Sequence, residues 1–131
     1  MKIQRIKAEN YKTYRSLDLS LEVTDQQPII LIGGANGCGK TTLFDAIYHA
    51  LYGLEIHSAK EFDELFNAGV KVSEGMNSKA ITLEITFTGH VLQNEIQYLL
   101  RRSYILFEGQ VREQVLLNMG GNTYTYGTAT P

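Results

Sequence analysis

The chain has 131 residues, 44% of them hydrophobic and 20% charged, with a formal net charge of −2. That length supports one domain with a real core, the balance is that of an ordinary soluble globule, and the charge excludes a strongly basic whole-domain footprint. No run approaches the roughly 18 apolar residues of a membrane span, Met1-Lys2-Ile3-Gln4-Arg5 lacks the apolar centre of a signal peptide, and the single cysteine, Cys38, fits a reducing compartment, here taken as the cytoplasm.

Ile3, Ile6 and Ala8 open the chain as a short strand ending near Asn10, and Tyr11-Lys12-Thr13-Tyr14 reads as a turn carrying a cation. Leu17, Leu19, Leu21 and Val23 alternate with Asp18, Ser20, Glu22 and Thr24, the pattern of a half-exposed strand. Residues 29–32 are continuously apolar and predict a buried strand, with Pro28 acceptable at its start. After a glycine-rich loop, Leu43, Phe44, Ile47, Ala50, Leu51 and Leu54 recur at helical spacing, predicting a helix over 39–52 with Gly53 beyond its end. A surface excursion follows, with one short helix over 59–67 that packs Phe62, Leu65 and Phe66 and stops at Gly69. Ile81, Leu83, Ile85 and Phe87 then form the apolar face of a strand over 80–87, Thr88-Gly89-His90 offers a hairpin turn, and return strands over 93–105 and 110–117 complete an antiparallel meander. The polar tail 118–131 has no core-forming pattern and is expected to fray. The domain is accordingly placed at 1–117.

The loop carries the chemistry. Gly34 begins the spacing G-x-x-x-x-G-K-[ST], which ends on Lys40 and Thr41 between the predicted strand and helix. Glycines at 34, 37 and 39 let the backbone aim N–H groups at phosphate oxygens, and the first helical turn adds unpaired donors and the positive end of a dipole. Lys40 is a point charge suited to the β- and γ-phosphates and Thr41 a hydroxyl suited to Mg²⁺. What hydrolysis further requires is missing: no apolar run ending in Asp-Glu follows the loop, and Asp45, Glu55, Asp63, Glu64, Glu84 and Glu95 fall where ordinary solvated charge is expected. His49, His57 and His90 form no converging ligand set for zinc. The chain reads as the front part of an ATPase domain.

The opening segment through Tyr14, together with Asn36, Gly37 and the loop through Ile47, resembles the N-terminal half of the SMC-like ATPase heads, which include the double-strand-break repair ATPase and the RecF and RecN proteins. The resemblance implies an α/β P-loop NTPase fold: the N-terminal part of an ABC-type head with a mixed sheet and an antiparallel β meander. It assigns Asn36, Gly37, Cys38, Gly39, Lys40, Thr41 and Thr42 to the nucleotide loop, with Thr41 on the metal and Lys40 as the catalytic candidate. Cys38 departs from the usual small Ser or Ala. Lys12 matches the basic residue near the nucleotide, and Arg101-Arg102 the basic pair of the meander; Gln110 and Gln114 are weak candidates for the Q-loop glutamine. The implied cofactors are ATP and Mg²⁺. The implied partners are a C-terminal lobe of the same protein bearing the Walker B carboxylates, a second head as homodimer, DNA and, as a candidate, a nuclease, with no membrane. Only weak, phosphate-directed contact with duplex DNA is expected of this chain itself. The alternative is an ABC-type transport or anti-phage defence subunit. A small-molecule kinase ranks third, because no acceptor site is evident.

Overall fold

The computed structural model describes residues 1–33, 40–67 and 78–128. Strands β1 (Lys2–Tyr11), β2 (Tyr14–Ser20), β3 (Ser78–Val91), β4 (Asn94–Phe107), β5 (Gln110–Met119) and β6 (Asn122–Thr128) form a single sheet in the order β2-β1-β3-β4-β5-β6. Every pairing in it is antiparallel. Helices α1 (Lys40–Tyr52) and α2 (Ala59–Leu65) complete the described elements, and α1 lies on β3, β1 and β4.

Period-two alternation gives the sheet one apolar face. Ile6 pairs with Ile85 and Ala8 with Leu83 across β1 and β3, while Leu19 and Leu17 pair with the same two β1 residues from β2. Ile6, Ala8, Ile81, Leu83 and Ile85 are fully buried there against Leu43, Ala46 and Ala50 of α1. The helix contributes at i, i+3 and i+7, and its two alanines let the backbones approach closely. Each buried Ile or Leu contributes about 1.5–3 kcal/mol over an exposed one. α2 is closed by Ser58, whose Oγ accepts from the Glu61 N–H (3.1 Å), while the Glu61 carboxylate reaches back to the His57 N–H (2.6 Å). Phe62 anchors α2 in the core and stacks on Phe66.

Several expectations need correction. Residues 29–32 are not a strand, and Ile29, Ile30 and Leu31 are exposed. A strand exists through ladder bonds to a neighbour, and among the described residues none runs beside this segment, so the sheet of described strands is antiparallel rather than mixed. The 17–24 alternation is a strand only as far as Ser20, where its pairing with β1 stops, and the strand begins at Tyr14, within the expected turn. The turn expected at 88–90 lies at 92–93 instead, because β3 runs on through Gly89. A Cβ at Gly89 would stand 3.3 Å from a ring carbon of Tyr98, so this glycine makes room for the ring that stacks on Phe87 rather than bending the chain. The tail expected to fray supplies β6, paired along β5 from Met119↔Asn122 to Glu113↔Thr128. Gly69 and the rest of 68–77 lie outside the described residues. No described helix is long and apolar enough to cross a membrane.

Candidate phosphate site at the start of α1

Lys40, Thr41 and Thr42 form the first turn of α1, which contains no acidic residue. Its leading N–H groups therefore meet no carboxylate of their own turn, and the positive end of the helix dipole is uncompensated there. Thr41 is exposed, and among the described residues Lys40 has no ion-pair partner. Asn36, Gly37, Cys38 and Gly39 lie outside the described residues.

Lys12 reaches the same helix from the other side. It sits in the β1–β2 turn with φ 49°, beside Asn10 with φ 58°. Its Nζ is 3.1 Å from Asp45 Oδ2 and 5.4 Å from the centre of the Tyr11 ring. Asp45 follows Thr41 by four residues and precedes His49 by four, so the three share one face of α1. The buried Tyr11 hydroxyl closes this row by bonding His49 Nδ1 at 2.8 Å. Burial and the nearby Asp45 charge raise the Tyr11 phenol above its ordinary value, so it stays protonated and donates. Burial, then the Lys12 charge, lower the His49 imidazole, with Asp45 opposing, so it stays neutral and accepts.

The basic pair of the meander divides between the two faces of the sheet, as alternation requires. Arg101 Nε and Nη2 donate to Glu84 Oε1 at 2.9 and 2.6 Å on the face away from α1, where Lys7 Nζ also stands 3.7 Å from Glu84. Arg102 points to the helix, and its Nε and Nη2 donate to the carbonyls of Ala50 (2.9 Å) and Leu51 (3.0 Å). It caps the C-terminal turn of α1, where a cation also complements the dipole. Tyr104, two residues on, accepts from the Leu54 N–H at 2.7 Å, and burial pushes its phenol up to about 12. The sequence carries a signal for this role: Arg102 alternates with Leu100 and Tyr104 on an apolar face, where a guanidinium needs acceptors. Gln110 and Gln114 lie within the paired strand β5. No group of three His, Cys, Asp or Glu side chains able to hold a metal occurs among the described residues.

A family model described as an AAA domain matches residues 5–125, and the chain belongs to that family. It is 37% identical over 62 residues to the DNA double-strand break repair Rad50 ATPase of Methanosarcina acetivorans, covering 47% of this chain and 5% of that protein. It is 38% identical over 61 residues to the DNA replication and repair protein RecF of Natranaerobius thermophilus, covering 47% of this chain and 15% of that protein. The chain thus spans a small part of the length of these curated relatives. A solved structure described as "Structural biochemistry of ATP-driven dimerization and DNA stimulated activation of SMC ATPases" shares the fold over 95% of this chain and 72% of its own, with a TM-score of 0.55 and 21% identity. The chain is thus an AAA-family domain that is similar in part to a Rad50 ATPase and a RecF protein and shares the fold of an SMC ATPase structure.

Proposed function

We propose that this chain is the N-terminal lobe of an SMC/Rad50/RecF-like ABC ATPase and the phosphate-holding half of an ATP-driven head that acts in DNA repair or DNA management. The observation that carries the reading is the convergence of two lysines from distant segments on the phosphate-loop helix: Lys40 opens its first turn and Lys12 is tethered at Asp45 on the face that carries Thr41. Asn36, Gly37, Cys38, Gly39 and Thr42 complete the loop by motif, its backbone donors taking the phosphate oxygens. Thr41, an exposed hydroxyl on that turn, would hold Mg²⁺ together with the phosphate oxygens, and the ion would neutralise charge on the β- and γ-phosphates.

Hydrolysis falls to the assembled head. Asp45, the carboxylate on the Thr41 face, is paired with Lys12. The Walker B carboxylates come from a C-terminal lobe of the same protein, and the active unit is a homodimer of heads. The exposed residues Ile29, Ile30 and Leu31 and the outer stripe Phe44, Tyr48 and Tyr52 of α1 are the apolar surfaces that lobe covers. DNA is the partner supported by the similarity to DNA-repair proteins, with a nuclease as a further partner and the cytoplasm as the compartment that suits a lone cysteine.

Two measurements on one preparation test this: equilibrium affinity for Mg-ATP and multiple-turnover hydrolysis, for the chain and for a head reassembled with its second lobe. The chain alone holds nucleotide weakly without turnover, the assembled head turns over, and Lys40→Ala weakens binding at least about tenfold by removing a charge-assisted contact. Turnover by the purified chain alone, abolished in Lys40→Ala, overturns the division of labour between lobes.

A further inference from the structure

We propose that Asn67 is a positioning residue for Lys12, holding the β1–β2 turn in the left-handed conformation that delivers the ammonium to α1. The nucleotide consequence of this inference rests on the phosphate-site reading above; the structural part does not. Asn10 and Lys12 both have positive φ, 58° and 49°, and between them Tyr11 is fully buried. Asparagine tolerates that region, whereas lysine is strained there by its Cβ. The strain persists only where surrounding bonds over-determine it.

The bonds that do so come from the end of the α2 excursion, more than fifty residues away in sequence. The Asn67 side chain donates from Nδ2 to the Lys12 carbonyl at 2.8 Å, and the Asn67 backbone N–H donates to the Asn10 carbonyl at 3.0 Å. One residue thereby grips both left-handed positions. The Lys12 N–H donates to the Leu65 carbonyl at 2.7 Å, and Asn10 Nδ2 is spent on the Ala80 carbonyl at 3.0 Å. Asn67 is only 8% exposed, so water does not readily replace its amide as a donor to the Lys12 carbonyl. Without that donor the left-handed region at Lys12 is held by the two backbone bonds alone and is populated less, and leaving it swings the side chain away from Asp45. Asn67 touches no reacting atom in this scheme and acts through Lys12.

The test measures amide hydrogen exchange at Lys12 and equilibrium binding of Mg-ATP, in the 131-residue chain, for Asn67→Ala and, as a milder truncation, Asn67→Ser, each with and without Lys12→Ala. Loss of the brace speeds exchange at the Lys12 N–H in both Asn67 variants. It weakens Mg-ATP about tenfold where Lys12 is present and less than about twofold in the Lys12→Ala background. An equal loss of affinity in both backgrounds means a merely structural role and overturns the proposal, as does unchanged exchange at Lys12 in a folded variant. Absence of Mg-ATP binding by the wild-type chain overturns the phosphate-site reading, and the exchange rates still decide whether Asn67 holds the turn.

Discussion

Arg102 and His49 carry the two sharpest consequences at the scale of single residues. Arg102 stands on the apolar face of the sheet, its side chain 16% exposed, and is accommodated because two helix-end carbonyls accept from its fork and Glu113 lies 3.8 Å away. Arg102→Met keeps the volume but leaves the carbonyls of Ala50 and Leu51 without this donor, and is expected to cost about 2 kcal/mol in a denaturant titration, the scale of charge-assisted bonds. Arg102→Lys rescues part of that at most, since a point charge does not span both carbonyls; a fully stable Met variant rules out the cap. His49 makes stability depend on pH. Its folded pKa lies below the ordinary 6.5 through burial and the Lys12 charge, so between the two values the unfolded chain binds more protons. Stability is complete above the unfolded pKa and is lost as pH falls through the folded one. His49→Gln keeps an acceptor for the Tyr11 hydroxyl and should flatten the slope on the acid side of the ordinary 6.5; an unchanged slope in thermal melts at several pH values assigns the dependence elsewhere. The neutral reading of His49 was open to sequence only in the negative sense that no ligand set surrounds it. Its bond to Tyr11 joins positions 38 apart and leaves no local trace.

At the scale of elements, legibility followed locality. β1, β3, β4 and β5 were readable because alternation records which face is buried, and α1 because Leu43, Ala46 and Ala50 mark one stripe. Lys40 and Thr41 were readable from motif spacing, but the seat of Lys12 was not, because Asp45, Leu65 and Asn67 reach it from other elements. β6 escaped because Tyr124 and Tyr126 are exposed and give no core pattern. Its real signal is the preceding Gly120-Gly121 pair, whose φ values of 57° and 91° suit a tight hairpin turn with the twist of the flanking strands. The β3–β4 turn lacks such chemistry: Leu92 sits there with φ 58° and is 92% exposed, bearing left-handed strain with little contact to offset it. Leu92→Asn or Leu92→Gly is therefore expected to raise stability by about 1 kcal/mol and the melting midpoint by a few degrees. A lower midpoint in both variants means that the leucine makes a contact worth more than the strain.

At the scale of the molecule, the decisive quantity is apolar surface left in water on the side of α1 away from the sheet. Phe44, Tyr48 and Tyr52, at successive i+4 positions, are 57%, 59% and 71% exposed, and Ile29 and Leu31 are 75% and 91% exposed. Their sequence reading as buried was a statement about hydrophobicity, and burial needs a partner surface that the described residues do not supply. Scattered exposed apolar residues are ordinary; a helix stripe together with the exposed run Ile29, Ile30 and Leu31 is a binding-site signature. The chain alone should therefore bind an environment-sensitive hydrophobic dye while keeping its cooperative melt, which distinguishes an exposed docking face from a loosened core. Phe44→Gln/Tyr48→Gln, which keeps good helix formers on α1, should cut the dye signal by about half and leave folding stability within about 0.5 kcal/mol per substitution. Assembly with the proposed C-terminal lobe should abolish the signal in the unmodified chain and fail, or weaken markedly, in the double variant. If the double variant unfolds, the stripe belongs to the core of this lobe; if it assembles with unchanged affinity, the second lobe docks elsewhere and the assignment of this face is wrong.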